Sequence, residues 1–287
     1  MKIITNDTCT SFRAAGHPEQ PARITNTRKL LEEQRNIEIE WVEPAPCGNE
    51  QILRAHCPQY LERLQEKGDF DGDTPWFENI ESLARTSAGA ALEAMRLARS
   101  GERAFSLMRP PGHHATPSRA MGFCYLGNMG IAAMEALETG AGRVAIYDFD
   151  VHHGNGTEAI LVEREGVQCA SIHQSPCFPG TGLEDVGSNC FNYPVRPFLS
   201  RQEYRDVLRR ALDRLMKSDP AIVGVAAGFD SYDGDPLAQE LLEIDDYHWL
   251  GDLIGQIDVP VFHMLEGGYS DALPELVQAY LLGLEGK

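Results

Sequence analysis

Apolar positions along the chain fall into two alternating patterns. Short, nearly continuous apolar runs occur at Phe105–Met108, Val144–Phe149, Gln168–Ile172, Ile222–Ala226 and Val259–Leu265. They lack the polar–apolar alternation of a half-exposed strand, and runs of this length predict parallel strands buried on both faces. Longer periodic stretches lie between or before them, at Ile80–Leu97, Leu126–Leu137, Arg201–Met216, Asp246–Ile257 and Leu273–Leu282. Their spacing predicts helices. Ser200 is placed as the N-cap of the third, with Glu203 at capping-box distance, and Gly283 as the stop of the last. Strand–helix alternation of this kind predicts an α/β fold, a doubly wound parallel sheet with helices on both faces. Its crossovers are expected to be right-handed. No linker, repeat or low-complexity tract interrupts the pattern, so residues 1–287 read as a single domain.

Composition narrows the class. The chain has 287 residues, 43% hydrophobic and 24% charged, which predicts a folded soluble protein and excludes a disordered one. Its formal net charge is −18. Nucleic-acid binding needs clustered Lys and Arg and is disfavoured, whereas cationic substrates are tolerated. The seven cysteines, Cys9, Cys47, Cys57, Cys124, Cys169, Cys177 and Cys190, are odd in number and contain no C-x-x-C. They do not form a disulfide framework, and a reducing cytoplasm is expected. The first residues are too few and too polar for a signal peptide. No apolar run approaches the ~20 residues of a membrane span.

The chemistry sits where a parallel sheet would place it, after the carboxyl ends of the strands. Arg109-Pro110-Pro111-Gly112-His113-His114-Ala115 follows the first candidate strand, and Asp148-Phe149-Asp150-Val151-His152-His153-Gly154-Asn155-Gly156-Thr157 the second. Gly228-Phe229-Asp230 and Glu266-Gly267-Gly268-Tyr269 follow two others. In extended backbone, residues two apart point the same way, so Asp148, Asp150 and His152 share a direction. Asp150 and His152 then form a pair of metal ligands, and Asp230 supplies a third. One histidine and two carboxylates leave coordination positions open, as a catalytic site requires. Alone, the D-x-H pair reads equally as a salt-bridged carboxylate–imidazole cluster; Asp230 and the tandem histidines favour the metal. His113 and His114 follow a rigid Pro-Pro-Gly turn and are suited to proton exchange with one bound water. Tyr269, after two glycines, is placed to donate to a developing oxyanion.

Together these segments resemble the histone deacetylase family, which shares its fold with arginase. The match runs from His17 to Tyr269. It includes His17-Pro18-Glu19-x-Pro21-x-Arg23, Arg109–Ala115, Gly122-Phe123-Cys124-Tyr125, Asp148–Thr157, Phe178-Pro179-Gly180-Thr181-Gly182, Gly228–Asp230 with Gly234-Asp235-Pro236-Leu237, and Glu266–Tyr269.

The resemblance implies a three-layer α/β/α architecture around a central, mostly parallel sheet of about eight strands. It implies a zinc-dependent deacetylase acting on acyl amines, with Asp150, His152 and Asp230 as ligands. His114 then matches the general base and acid, His113 its electrostatic partner oriented by Asp148, and Tyr269 the residue that polarises the scissile carbonyl. Phe123 and Phe178 match the walls of an acyl-lysine tunnel, the Gly122 backbone an acceptor for the substrate amide, and Leu237 a rim position. Asp148, Asp150, His152, Ser171 and Ile172 match a structural potassium site. Asn155 stands where some members carry Asp, which is nearer the class II pattern. An amide is a weaker partner for imidazolium, so the pKa of His114 is expected to be lower than in Asp-bearing members. Asp73 lies roughly where some members grip the substrate backbone, although Asp69–Asp73 reads as a solvated acidic loop.

The carboxylate-rich set also accepts Fe²⁺, Mn²⁺ or Co²⁺. Substrates that fit are small-molecule or peptide acyl amines, namely acetyl-lysine, acetylated polyamines and similar amides. Apolar Leu237 points away from polyamines and the net charge points toward them. Two rivals share the fold. An arginase-like ureohydrolase would need further aspartates for a second metal, and a noncatalytic binding module would not need the complete set of site residues.

Overall fold

The computed structural model describes residues 1–287. Eight strands form one sheet: β1 (Lys2–Ile4), β2 (Glu40–Val42), β3 (Ala104–Ser106), β4 (Val144–Asp148), β5 (Val167–Gln174), β6 (Cys190–Val195), β7 (Ile222–Ala227) and β8 (Val261–Leu265). Their order is β2-β1-β3-β8-β7-β4-β5-β6, and every neighbouring pair is parallel. All residues of β4 and β7 are buried, which accounts for sequences that are apolar throughout except for Asp148 at the end of β4.

Nine α-helices surround the sheet: α1 (Ala22–Glu33), α2 (Asn49–Leu53), α3 (Pro58–Gln65), α4 (Ile80–Arg99), α5 (Asn128–Glu138), α6 (Asn155–Leu161), α7 (Arg201–Met216), α8 (Ile244–Gly255) and α9 (Leu273–Leu284). The strand period of two decides their sides. Ile146 and Phe262 converge on Met129 of α5. Their neighbours point the other way: the Tyr147 hydroxyl donates to the Leu208 carbonyl of α7 at 2.9 Å, and the His263 ring lies 5.7 Å from that of Tyr280 in α9. The three layers are therefore α/β/α, with a core cluster of 74 buried residues. No helix is long and apolar enough to cross a membrane.

The five predicted strands all occur, shifted by one or two residues at their ends. Pro260 starts the last strand later than its apolar run, and β3 stops at Ser106, two residues short. Strands β1, β2 and β6 have no counterpart in the apolar pattern. The first two have three residues each, include Lys2 and Glu40, and are followed by polar residues, and β6 is an edge strand with exposed or half-buried Asn192, Tyr193 and Pro194. Helices α1, α2, α3 and α6 likewise lie outside the periodic stretches.

The Ser200 cap is present, its hydroxyl accepting from the Glu203 amide at 3.4 Å; the Glu203 carboxylate bonds that hydroxyl and not the cap amide. Gly283 does not stop α9, which continues to Leu284. Its lack of a side chain serves helix contact, since a methyl there would collide with the His248 carbonyl of α8.

The sheet order has one consequence for function. Strands β3, β8, β7 and β4 are consecutive across the middle of the sheet. The four chemistry-bearing loops that follow them are distant in sequence and adjacent in space.

Candidate active site

β4 ends at Asp148, so Asp150 and His152 stand in the loop beyond it. What aligns them is a relay of carboxylate-to-amide bonds. The Asp150 amide donates to Asp148 Oδ1 at 3.1 Å, and the His152 amide donates to Asp150 Oδ1 at 2.9 Å. The Val151 amide donates to Asp230 Oδ1 at 2.9 Å, tying the loops after β4 and β7 together. Two-residue spacing selects Asp148, Asp150 and His152, and this relay of bonds ties the three together.

His152 Nδ1 lies 3.1 Å from Asp150 Oδ1 and 3.0 Å from Asp230 Oδ2. Ligand atoms of Asp150, His152 and Asp230 all fall within 4.8 Å of one another, and all three residues are buried. The ion-pair partners of Asp148, Asp150 and Asp230 are histidines alone, with no lysine or arginine among them. Three buried carboxylates with only imidazoles to balance them are costly. Burial and the neighbouring Asp150 charge push the Asp230 carboxyl up to about 7. Gly267 packs against both carboxylates so closely that any side chain would occupy the space between them. A divalent cation fits this donor set, and His/carboxylate ligation is ordinary for zinc.

The paired histidines lie beside that cluster with their ring centroids 3.9 Å apart. Their environments separate them. Burial opposes a charge on His113, but Asp150 and Asp148 outweigh it and raise its pKa to about 10; its Nδ1 lies 3.1 Å from Asp148 Oδ2. Burial, with the charges of His113 and His152, holds His114 well below the usual histidine range. His114 Nδ1 lies 2.8 Å from Asn155 Oδ1. An amide oxygen only accepts, so Nδ1 carries the proton and Nε2 keeps its lone pair. Burial is the main cause of the low His114 pKa, and the bond to Asn155 works against it.

A cavity of about 500 Å³ opens over this floor, lined among others by His114, His152, Gly122, Phe123, Phe178 and Tyr269. The Phe178 ring stands edge-on to His114 at 4.9 Å, and Phe123 edge-on to Tyr269 at 5.6 Å. Leu237 also lines the cavity. Phe123 holds φ at +69°, rare for a bulky side chain. A methyl on Gly122, at φ +55°, would fall 2.5 Å from His114 Cδ2 and 2.8 Å from Phe178 Cε1. Gly122→Ala is therefore expected to lower kcat/KM by on the order of 10²-fold with metal content unchanged. Steady-state kinetics beside metal analysis check it.

Asp148 and Ser171 are register partners on β4 and β5, so the structure brings together the strand ends carrying Asp148, Ser171 and Ile172. Asp73 is exposed in an irregular loop, as expected; it also lines the cavity, and its carbonyl lies 3.1 Å from His17 Nε2.

Several residues had no assigned role in the sequence. Asp235 accepts from the amides of Leu237 at 3.0 Å and Tyr269 at 2.7 Å. Fully buried Arg109 pairs with Glu19. Glu19 also pairs with Arg23, whose Nε donates to the Gly268 carbonyl at 2.8 Å and whose guanidinium lies 4.8 Å from the Tyr269 ring centroid. Glu266 accepts from the Gly112 and His113 amides. Each sits inside a motif already noted, and an acid or base beside a Gly or Pro turn was the available signal.

Comparison with known proteins agrees with this geometry. The histone deacetylase domain model matches residues 17–284. The chain is 36% identical to a histone deacetylase-like amidohydrolase of Pseudomonas aeruginosa, covering 90% of this chain and 74% of that protein. It is also 36% identical to a probable deacetylase of Methanothermobacter thermautotrophicus, covering 100% and 91%. Among solved structures, the acetylpolyamine aminohydrolase of Burkholderia pseudomallei superposes with a TM-score of 0.90 at 27% identity, covering 99% of this chain and 98% of that one. With the model matched over nearly its whole length, the chain belongs to the histone deacetylase family and is a hydrolase of amides.

Proposed function

We propose that the protein is a zinc-dependent deacetylase of N-acyl amines such as acetyl-lysine. One observation carries this reading: His114 and Tyr269 line the same cavity as His152 of the Asp150–His152–Asp230 cluster. When bound there, a divalent cation supplies Lewis acidity, polarising an acyl carbonyl and making water nucleophilic near neutral pH.

The chain's own groups do the rest. His114 Nε2 takes the proton of the attacking water and later delivers it to the leaving amine. His113, charged and held by Asp148, stabilises developing negative charge. Burial raises the pKa of Tyr269 well above the usual range, so the phenol stays protonated and donates to the oxyanion. Phe123 and Phe178 flank the acyl chain, the Gly122 carbonyl accepts the substrate amide, and Leu237 forms the rim. Asp148, Asp150, His152, Ser171 and Ile172 are the residues suited to a structural potassium ion. Fe²⁺, Mn²⁺ and Co²⁺ are also compatible with the ligand set. An odd cysteine count without a C-x-x-C motif supports a reducing cytoplasm as its location.

A second reading, acetylpolyamine hydrolysis, is favoured by the net charge of −18 and by Asp73 beside the cavity. Assaying the zinc-loaded protein on acetyl-lysine peptides, N-acetylpolyamines and longer acyl-lysines separates the two. Turnover of a peptide supports the first and preference for a polyamine the second. Inertness toward every acyl amine contradicts both.

A further inference from the structure

Glu266 is fully buried, and it follows β8 directly. Its Oε2 accepts from the Gly112 amide at 2.7 Å and from the His113 amide at 3.1 Å. Its backbone amide donates to the Ala227 carbonyl at 2.9 Å, and its carbonyl accepts from Arg23. The next amide, of Gly267, donates to Asp150 Oδ2 at 2.6 Å. Its second carboxylate oxygen, Oε1, has no partner.

A carboxylate in this position is expensive as packing, because a methionine or leucine would fill similar space without burying a charge. What the apolar residue cannot do is accept two adjacent backbone N–H groups. Those amides belong to the turn that carries His113 and His114, where Pro110 and Pro111 offer no donor of their own. Left without an acceptor, both would be orphaned in the interior.

We propose that Glu266 is the positioning residue for the His113–His114 pair, fixing the turn after β3 from the loop that also carries Tyr269. The proposal deepens the hydrolase reading above and rests on it for its kinetic consequence. Glu266 does not line the cavity, so it acts through the imidazoles: His113 is kept 3.1 Å from Asp148 and His114 2.8 Å from Asn155. One oxygen makes both bonds, so a glutamine amide oxygen suffices and negative charge is not the requirement.

The test compares Glu266→Met with Glu266→Gln in the zinc-loaded protein. Kinetics on the best acyl amine are read beside amide hydrogen exchange of the segment spanning residues 109–115. In Glu266→Met, kcat is expected to fall about 10- to 100-fold with KM within about 2-fold, the size of effect that small misplacement produces. Exchange at Gly112 and His113 should accelerate while zinc content stays unchanged. Glu266→Gln should recover most of the rate and the protection. Unchanged exchange in Glu266→Met overturns the proposal, and so does a Glu266→Gln enzyme as impaired as Glu266→Met. Should Glu266→Met fail to fold, Glu266→Gln decides alone, with retained protection at both amides supporting the proposal and lost protection overturning it. If the wild type turns over no acyl amine, the functional reading fails while the exchange measurement still decides this one.

Discussion

Asp230→Ala is expected to lose metal and turnover together. Asp230 is completely buried. Its two oxygens do separate work: Oδ1 holds the Val151 amide, and Oδ2 lies 3.0 Å from His152 Nδ1. Removing it takes away one of the three proposed ligands and releases the backbone that aims another. The loss of affinity should exceed the ~10–100-fold typical of outer-shell partners. Metal analysis of the purified variant, with circular dichroism to show that it folds, checks the result. A variant that retains a full equivalent of zinc would remove Asp230 from the ligand set.

Tyr269→Phe should separate chemistry from structure. The Tyr269 ring is edge-on to Phe123 and under the Arg23 guanidinium, and its amide is held by Asp235. A phenylalanine ring keeps all of these contacts and removes only the hydroxyl. The expected outcome is a folded, metal-replete enzyme with nearly unchanged KM and kcat lowered by ~10²–10³-fold, as for other single oxyanion donors. Wild-type turnover in that variant would exclude the proposed role.

Much of this site was legible in the sequence because its residues cluster at strand ends. Buried parallel strands are unbroken apolar runs, and the polar residues that follow them stand out against that background. What could not be read was the order of the strands. Only the sheet order places β3, β8, β7 and β4 side by side, since strand adjacency is a tertiary property that local periodicity does not encode. Strands β1 and β2 are three residues long and followed by polar residues, whereas the equally short β3 runs on into apolar Leu107 and Met108.

Glu266, Asp235, Glu19 and Arg23 act through backbone amides, carbonyls and ion pairs across elements far apart in sequence, so no spacing rule reveals their partners. Asp150 and His152 show the converse. Two-residue spacing selected them, yet side-chain-to-amide bonds in a loop hold them together.

The central claim is that one divalent ion held by Asp150, His152 and Asp230 drives amide hydrolysis. Its most direct test titrates metal-free protein with zinc while turnover of the best acyl amine is followed. Turnover is predicted to be absent at the start and to rise until one equivalent is bound. Hydrolysis by metal-free protein, or activity that appears only with a second equivalent as in a dinuclear ureohydrolase, would contradict it.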